Sequence, residues 1–172
     1  MQQDFMRRRF DREPCSIARS LEILGDWWTL LIIRDAFLGV RRFVDFAQRL
    51  GISKNILTRR LAHLTAHGVL ATVDAGVHGP RYEYELTAKG KDLFTAITVL
   101  RQWGDRWVFG PGQEPLLVVD RRTGRPLPRV KVLGEDGQPI PREAMAVVPG
   151  PGLSAARAAT PPKRPRRRAR AS

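Results

Sequence analysis

Gly51-Ile52-Ser53-Lys54-Asn55-Ile56-Leu57-Thr58-Arg59-Arg60-Leu61-Ala62-His63-Leu64-Thr65-Ala66-His67-Gly68 is the stretch that decides the fold. Gly51 ends one helix and Ser53 offers a hydroxyl to cap the next, which the spacing predicts from Lys54 to Ala66. Leu57, Leu61 and Leu64 recur at i, i+4 and i+7, so they mark its buried face. With those leucines turned inward at about 100° per residue, Asn55 and Arg59 point outward. His67 and Gly68 close the helix.

Three further helices are expected upstream. The first runs from Ser16 to Leu24 and stops at Gly25; Asp26 then caps a second, which reaches Leu38 and Gly39. Trp27 to Ile33 is apolar nearly all round, the mark of a buried central helix. A third, Phe43 to Leu50, places Phe43, Phe46, Ala47 and Leu50 on one face. Downstream the period changes to two. Val69 to Val73 and Tyr82 to Leu86 read as a hairpin joined by a loop containing Gly76, Gly79 and Pro80. Thr87 then caps one long final helix whose Leu93, Ile97, Leu100, Trp103 and Trp107 form a stripe too wide for one small bundle, which calls for a partner helix.

Composition divides the 172 residues into three segments: a folded domain over 1–109, an extension over 110–152 and a tail over 153–172. In the extension, Leu116 to Val119 and Val130 to Leu133 are short β-type runs separated by a turn at Arg121-Arg122-Thr123-Gly124, and a second turn follows at Glu135-Asp136-Gly137. They predict a small β-hairpin. The tail is Ala, Pro and Arg with no large apolar residue after Leu153, a composition that stays disordered. It carries seven basic residues and no acid out of a net charge of +13, which leaves the body at +6. That excess suits a polyanion partner, and the tail could add sequence-independent phosphate contacts. No apolar run is long enough to span a membrane, and Arg7, Arg8, Arg9 and Arg12 lead into Pro14 without a signal-type apolar stretch, so a cytoplasmic location is expected.

Helices joined by a tight turn at Gly51, followed by a two-stranded hairpin with a basic glycine-containing loop, are the order of a winged helix-turn-helix, a mainly α fold with a small β wing. The polar face sharpens this. Asn pairs bidentately with adenine and Arg with guanine, while Ser53, Lys54 and Thr58 lie near a helix N-terminus, where phosphate is favoured. In the wing, His78 and Arg81 are placed to reach the minor groove or the backbone.

The segment Cys15 to Trp107 closely resembles the HxlR-type regulators, through Cys15, Leu24-Gly25-Asp26-Trp27-Trp28-Thr29-Leu30-Leu31-Ile32, Arg42-Phe43, Ile52-Ser53, Leu57-Thr58, Arg60-Leu61, Gly68, Tyr84, Leu86-Thr87 and Gly90. The resemblance implies a bacterial transcriptional regulator that binds double-stranded DNA as a homodimer built from the first and last helices. It also implies that Ser53, Lys54, Asn55, Thr58, Arg59 and Arg60 are recognition-helix contacts and that Arg81 is a wing contact. A homodimer of this kind reads inverted half-sites. Some members carry a Cys-Gly pair and a Cys-x-x-Cys-Gly knuckle in a C-terminal extension like this one, a spacing that suits zinc. Here Thr123-Gly124 stands at the first place and Leu133, Asp136 and Gly137 at the second, so the turns are expected without a thiolate metal site, and no cofactor is expected.

Cys15 follows Pro14 at a helix N-terminus between Arg12 and Arg19. Some HxlR-type proteins use a cysteine here as a redox sensor; the plainer reading is a small buried residue. A redox or small-molecule effector is compatible with the sequence, but none is identified by it. His63, His67 and His78 are scattered, and the four tryptophans at helical spacing read as core. The rival function is a protein-binding adaptor, which Ile56 on the outward side would favour and which Asn55, Arg59 and His63 oppose. An enzyme is not expected, because the chain has no glycine-rich phosphate loop, nucleophile elbow or carboxylate pair.

Overall fold

Local capping chemistry sets the helix boundaries in the computed structural model, which describes residues 9–76 and 82–152. Helix α1 spans Ser16–Leu24, α2 Trp27–Phe37, α3 Phe43–Leu50 and α4 Lys54–Ala66. The Asp26 carboxylate accepts from the Trp28 amide at 3.0 Å at the start of α2, and the Ser53 hydroxyl accepts from the Ile56 amide at 3.4 Å at the start of α4. Gly51 takes the left-handed conformation, φ +59, that lets the chain leave α3 and turn into α4 within three residues.

These helices enclose one core of Ile32, Ile33, Phe46, Ile52, Leu57, Leu61, Leu64, Val69 and Leu70. The apolar run of α2 supplies its centre, with Ile32 and Ile33 fully buried, but Trp27 at its start is 74% exposed. The expectation of burial all round therefore holds for the middle of α2 and fails at its first residue. Asp35 of α2 has no exposed surface and is held by Arg34 at 2.9 Å and by Arg49 of α3 at 3.4 Å, a buried carboxylate with two cations that ties α2 to α3.

Strands β1, Leu70–Asp74, and β2, Tyr82–Leu86, form an antiparallel hairpin with Leu70 opposite Leu86 and Asp74 opposite Tyr82. The outer edge of β2 is not left bare: the Tyr84 amide donates to the Arg41 carbonyl at 2.9 Å, and the Arg41 guanidinium meets Glu85 at 2.5 Å.

The final helix is not continuous. Thr87 caps it by accepting from the Gly90 amide, but Ala88–Lys91 forms only a single turn, α5, before the chain bends at Asp92 and Leu93 into α6, Phe94–Gly104. Gly90 accounts for the placement. A Cβ there would overlap the Val69 carbonyl oxygen and come within 2.9 Å of the Leu86 side chain, so α5 lies directly on the hairpin where only glycine fits. After α6 the chain makes one turn of π-helix, Asp105–Phe109, and leaves through Gly110 at φ +92.

The described chain falls into two compact units divided between Val132 and Leu133. The first reaches beyond the helices because the Gln102 side chain of α6 holds the extension at two points. Its amide nitrogen donates to the Pro128 carbonyl, and its oxygen accepts from the Val130 amide, each at 2.9 Å. The two β-type runs of the extension do not pair with each other as the sequence suggested. Val119 bridges Pro126 and Leu133 bridges Pro139, so each run folds back on its own following residues. Both turns place glycine in the left-handed region, Gly124 at φ +67 and Gly137 at φ +73, and both have an aspartate accepting backbone amides. In the first, Arg122 beside Asp120 holds the carboxyl below its usual range. Beyond the second lies a short 3-10 turn, Arg142–Ala144. The expected disorder of 153–172 concerns residues outside those described.

Candidate nucleic-acid interface

The face of α4 opposite the core is built by elimination. Leu57, Leu61 and Leu64 are fully buried, and Ile56 packs partly against the same core. That leaves Ser53, Lys54, Asn55, Thr58 and Arg59 exposed along the first two turns, with Ala62 and Ala66 continuing the face. The α-helical period brings the five polar residues together at the N-terminal half, where unpaired backbone amides and the helix dipole favour an anion. Thr58 donates its hydroxyl to the Lys54 carbonyl at 2.9 Å, which leaves its oxygen free as an acceptor. The Ser53 hydroxyl is engaged as the cap.

Arg60 is set apart from these residues. Its guanidinium lies 2.7 Å from the second oxygen of Asp26, the same carboxylate that caps α2, with both side chains about three-quarters buried. Its Nε is buried without a hydrogen-bond partner. Arg60 thus fastens the middle of α4 to the start of α2. His63 is turned inward as well, with Nε2 3.1 Å from the Ile23 carbonyl of α1, and so does not belong to the outward polar face. His67 stacks on it at a centroid distance of 4.3 Å. Sequence spacing gave the angular position of Arg60 and His63 but not their partners on other helices. The signal for the first was the Asp26 beside it in the fold, recognised from sequence only as a cap.

His78 and Arg81, the wing contacts expected from the sequence, lie outside the described residues. Cys15 is exposed, not buried as the plainer reading had it, and stands at the start of α1. Trp103 and Trp107, at 56% and 63% exposed, are likewise outside the core, as is Trp27. Together with Val99 and Leu100 they leave α6 and the π-turn with a broad apolar surface. Ile17 and Leu21 give α1 a smaller one. Among the described residues no three His, Cys, Asp or Glu side chains are gathered to hold a metal ion, and no helix is long and apolar enough to cross a membrane.

Comparison with known proteins bears on this arrangement. The sequence model of the HxlR-like helix-turn-helix family matches residues 23–110. An uncharacterized HTH-type transcriptional regulator of Mycobacterium tuberculosis, Rv3095, is 39% identical over 150 residues, which are 87% of this chain and 94% of the relative. Since the family match ends at residue 110, at least 40 of those 150 lie beyond it, so the likeness includes much of the extension. A Synechocystis HTH-type regulator, sll1512, is 32% identical over 95 residues, 55% of this chain and 70% of the relative. Among solved structures, PA1607, named as a candidate transcription factor, superposes with a TM-score of 0.77 at 40% identity, covering 82% of this chain and 99% of its own. From the polar face of α4, the hairpin behind it and these likenesses together, the chain belongs to the HxlR-like helix-turn-helix family of transcriptional regulators.

Proposed function

We propose that the protein binds duplex DNA sequence-specifically as a homodimer, with α4 of each copy in the major groove of one half of an inverted repeat. The observation that carries this reading is the division of α4: a fully buried leucine face and, opposite it, an exposed Asn55, Thr58 and Arg59 with Ser53 and Lys54 at the N-terminal end. Asn55 and Arg59 supply base-edge donors and acceptors; Lys54, Thr58 and the helix N-terminus supply phosphate contacts. Arg60 would reach DNA only by giving up Asp26, so its part is to hold the reading helix at its angle. His78 and Arg81 complete the contact from the wing.

The apolar surfaces of α1 and α6 support the homodimer, because exposed Ile17, Leu100, Trp103 and Trp107 are more than a solvated protomer ordinarily leaves uncovered. A twofold axis then sets the two reading helices roughly 34 to 36 Å apart, or a multiple of that, on one face of the duplex. The test is a gel-shift titration against the DNA upstream of its own gene, at fixed salt and with excess nonspecific duplex. A discrete competitor-resistant complex supports the reading. Binding to every duplex that competitor removes points to charge alone and overturns it.

A further inference from the structure

The extension that the helix-turn-helix does not use builds a cleft of about 400 Å³ against the end of α6. One wall is the last turn of α6 and the π-turn, bearing Arg101, Asp105 and Arg106; the other is the segment that folds back through Leu117, Val118, Leu127 and Arg129. Neither wall is loose. Gln102 pins the second wall at 128 and 130, and the Leu127 amide donates to the Val118 carbonyl at 2.9 Å, so the two apolar side chains sit on paired backbone. A volume near the lower end of the range for ligand sites, with an apolar wall facing a few polar groups, is the form of a small-molecule pocket.

The charges define what fits. Arg101 and Asp105 neutralise each other at 2.5 Å, yet Arg101 Nε is buried with no acceptor. A buried donor left so is costly unless something supplies an oxygen. Arg106 stacks on Trp107 and, like Arg129, faces no carboxylate within ion-pair distance among the described residues. Glu114 is the remaining acid of the lining. Two unpaired guanidiniums against one carboxylate leave the cleft one negative charge short of neutrality. Asp105 and Arg106 come from a π-turn at the end of α6, a rare element that is frequent at functional sites.

We propose that this cleft binds a small monoanionic organic acid, its carboxylate among Arg101, Arg106 and Arg129 and its aryl or alkyl body against Leu117, Val118 and Leu127. The binding is read on the protein without DNA, so its success or failure is independent of the DNA-binding reading. The experiment is isothermal titration of the full chain with phenylacetate, octanoate and 1-naphthoate, each beside its neutral amide.

At least one acid saturates a single site, and its amide binds about tenfold more weakly or worse. Arg129→Gln, an exposed position outside the core, weakens the acid by about tenfold, while Arg121→Gln in the turn, outside the lining, leaves it unchanged. Leu127→Trp, which fills the cleft, abolishes binding. The proposal is overturned if none of the three acids binds, if the amide binds as well as the acid, or if Arg121→Gln weakens binding as much as Arg129→Gln. It is equally overturned if binding survives Leu127→Trp.

Discussion

Helices α4 and α6 are of similar length and both carry a broad apolar face, yet they finish folding in opposite states. Helix α4 buries its three leucines completely and shows solvent a polar face, whereas α6 buries Thr98, rests Ile97 on the core and leaves Val99, Leu100 and Trp103 in contact with water. One helix is complete in a single chain; the other leaves part of its apolar face uncovered. That difference separates two kinds of contact. In the proposed function, the finished helix with its polar face is the one that reads an external surface by hydrogen bonds, and the unfinished one is the one that joins copies by burial.

Substitution can break the comparison, most strongly on the buried side. Leu61→Ala leaves a cavity in a fully buried site and should cost about 2 to 5 kcal/mol in urea unfolding. Trp103→Glu on α6 should leave far-ultraviolet circular dichroism unchanged while the sedimentation coefficient falls to that of a monomer. A folded variant that remains the size of the parent would mean that copies do not meet through the face of α6. Asn55→Ala and Arg59→Ala should each weaken the specific site by about 1 to 3 kcal/mol with little change on random duplex. Equal losses on both sequences would leave α4 a phosphate contact only.

A smaller effect sharpens the picture of how α4 is held. Asp26→Ala removes both the cap of α2 and the partner of Arg60, and should lower stability by about 1 to 3 kcal/mol. Asp26→Asn, which keeps a capping oxygen, should recover part of this loss. If Asp26→Asn unfolds at the same denaturant concentration as the parent, the Arg60 contact contributes nothing beyond the cap. Smallest of all, removal of residues 153–172 should flatten the dependence of DNA affinity on salt if the basic tail touches phosphate.

The helix boundaries were legible because their causes are local. Gly25, Asp26, Gly51, Ser53 and Gly68 each act within a few residues of themselves, and the end of α1, the start of α2, the end of α3 and both ends of α4 fall where these signals place them. What the sequence hid was decided at a distance. Arg60 and His63 lie at angles that local geometry leaves open, and they turn inward because Asp26 and the Ile23 carbonyl wait on other helices. The break between α5 and α6 follows from the approach of α5 to β1, a contact that no helical period encodes. The extension misled for a related reason: two β-type runs suggested a partnership, but tight turns at Asp120–Arg125 and Gly134–Gln138 satisfied each run sooner than its distant counterpart could.

Gly90 has a consequence for how this protein can vary. Any side chain there collides with the backbone of Val69, which cannot move without carrying the first residues of the hairpin and the floor of the core with it. Lys91, one position later, faces solvent and carries no such demand. In a library covering every codon, position 90 would tolerate no replacement and position 91 nearly all of them, so that neighbouring residues of one short turn would differ as sharply in mutational tolerance as a core differs from a surface.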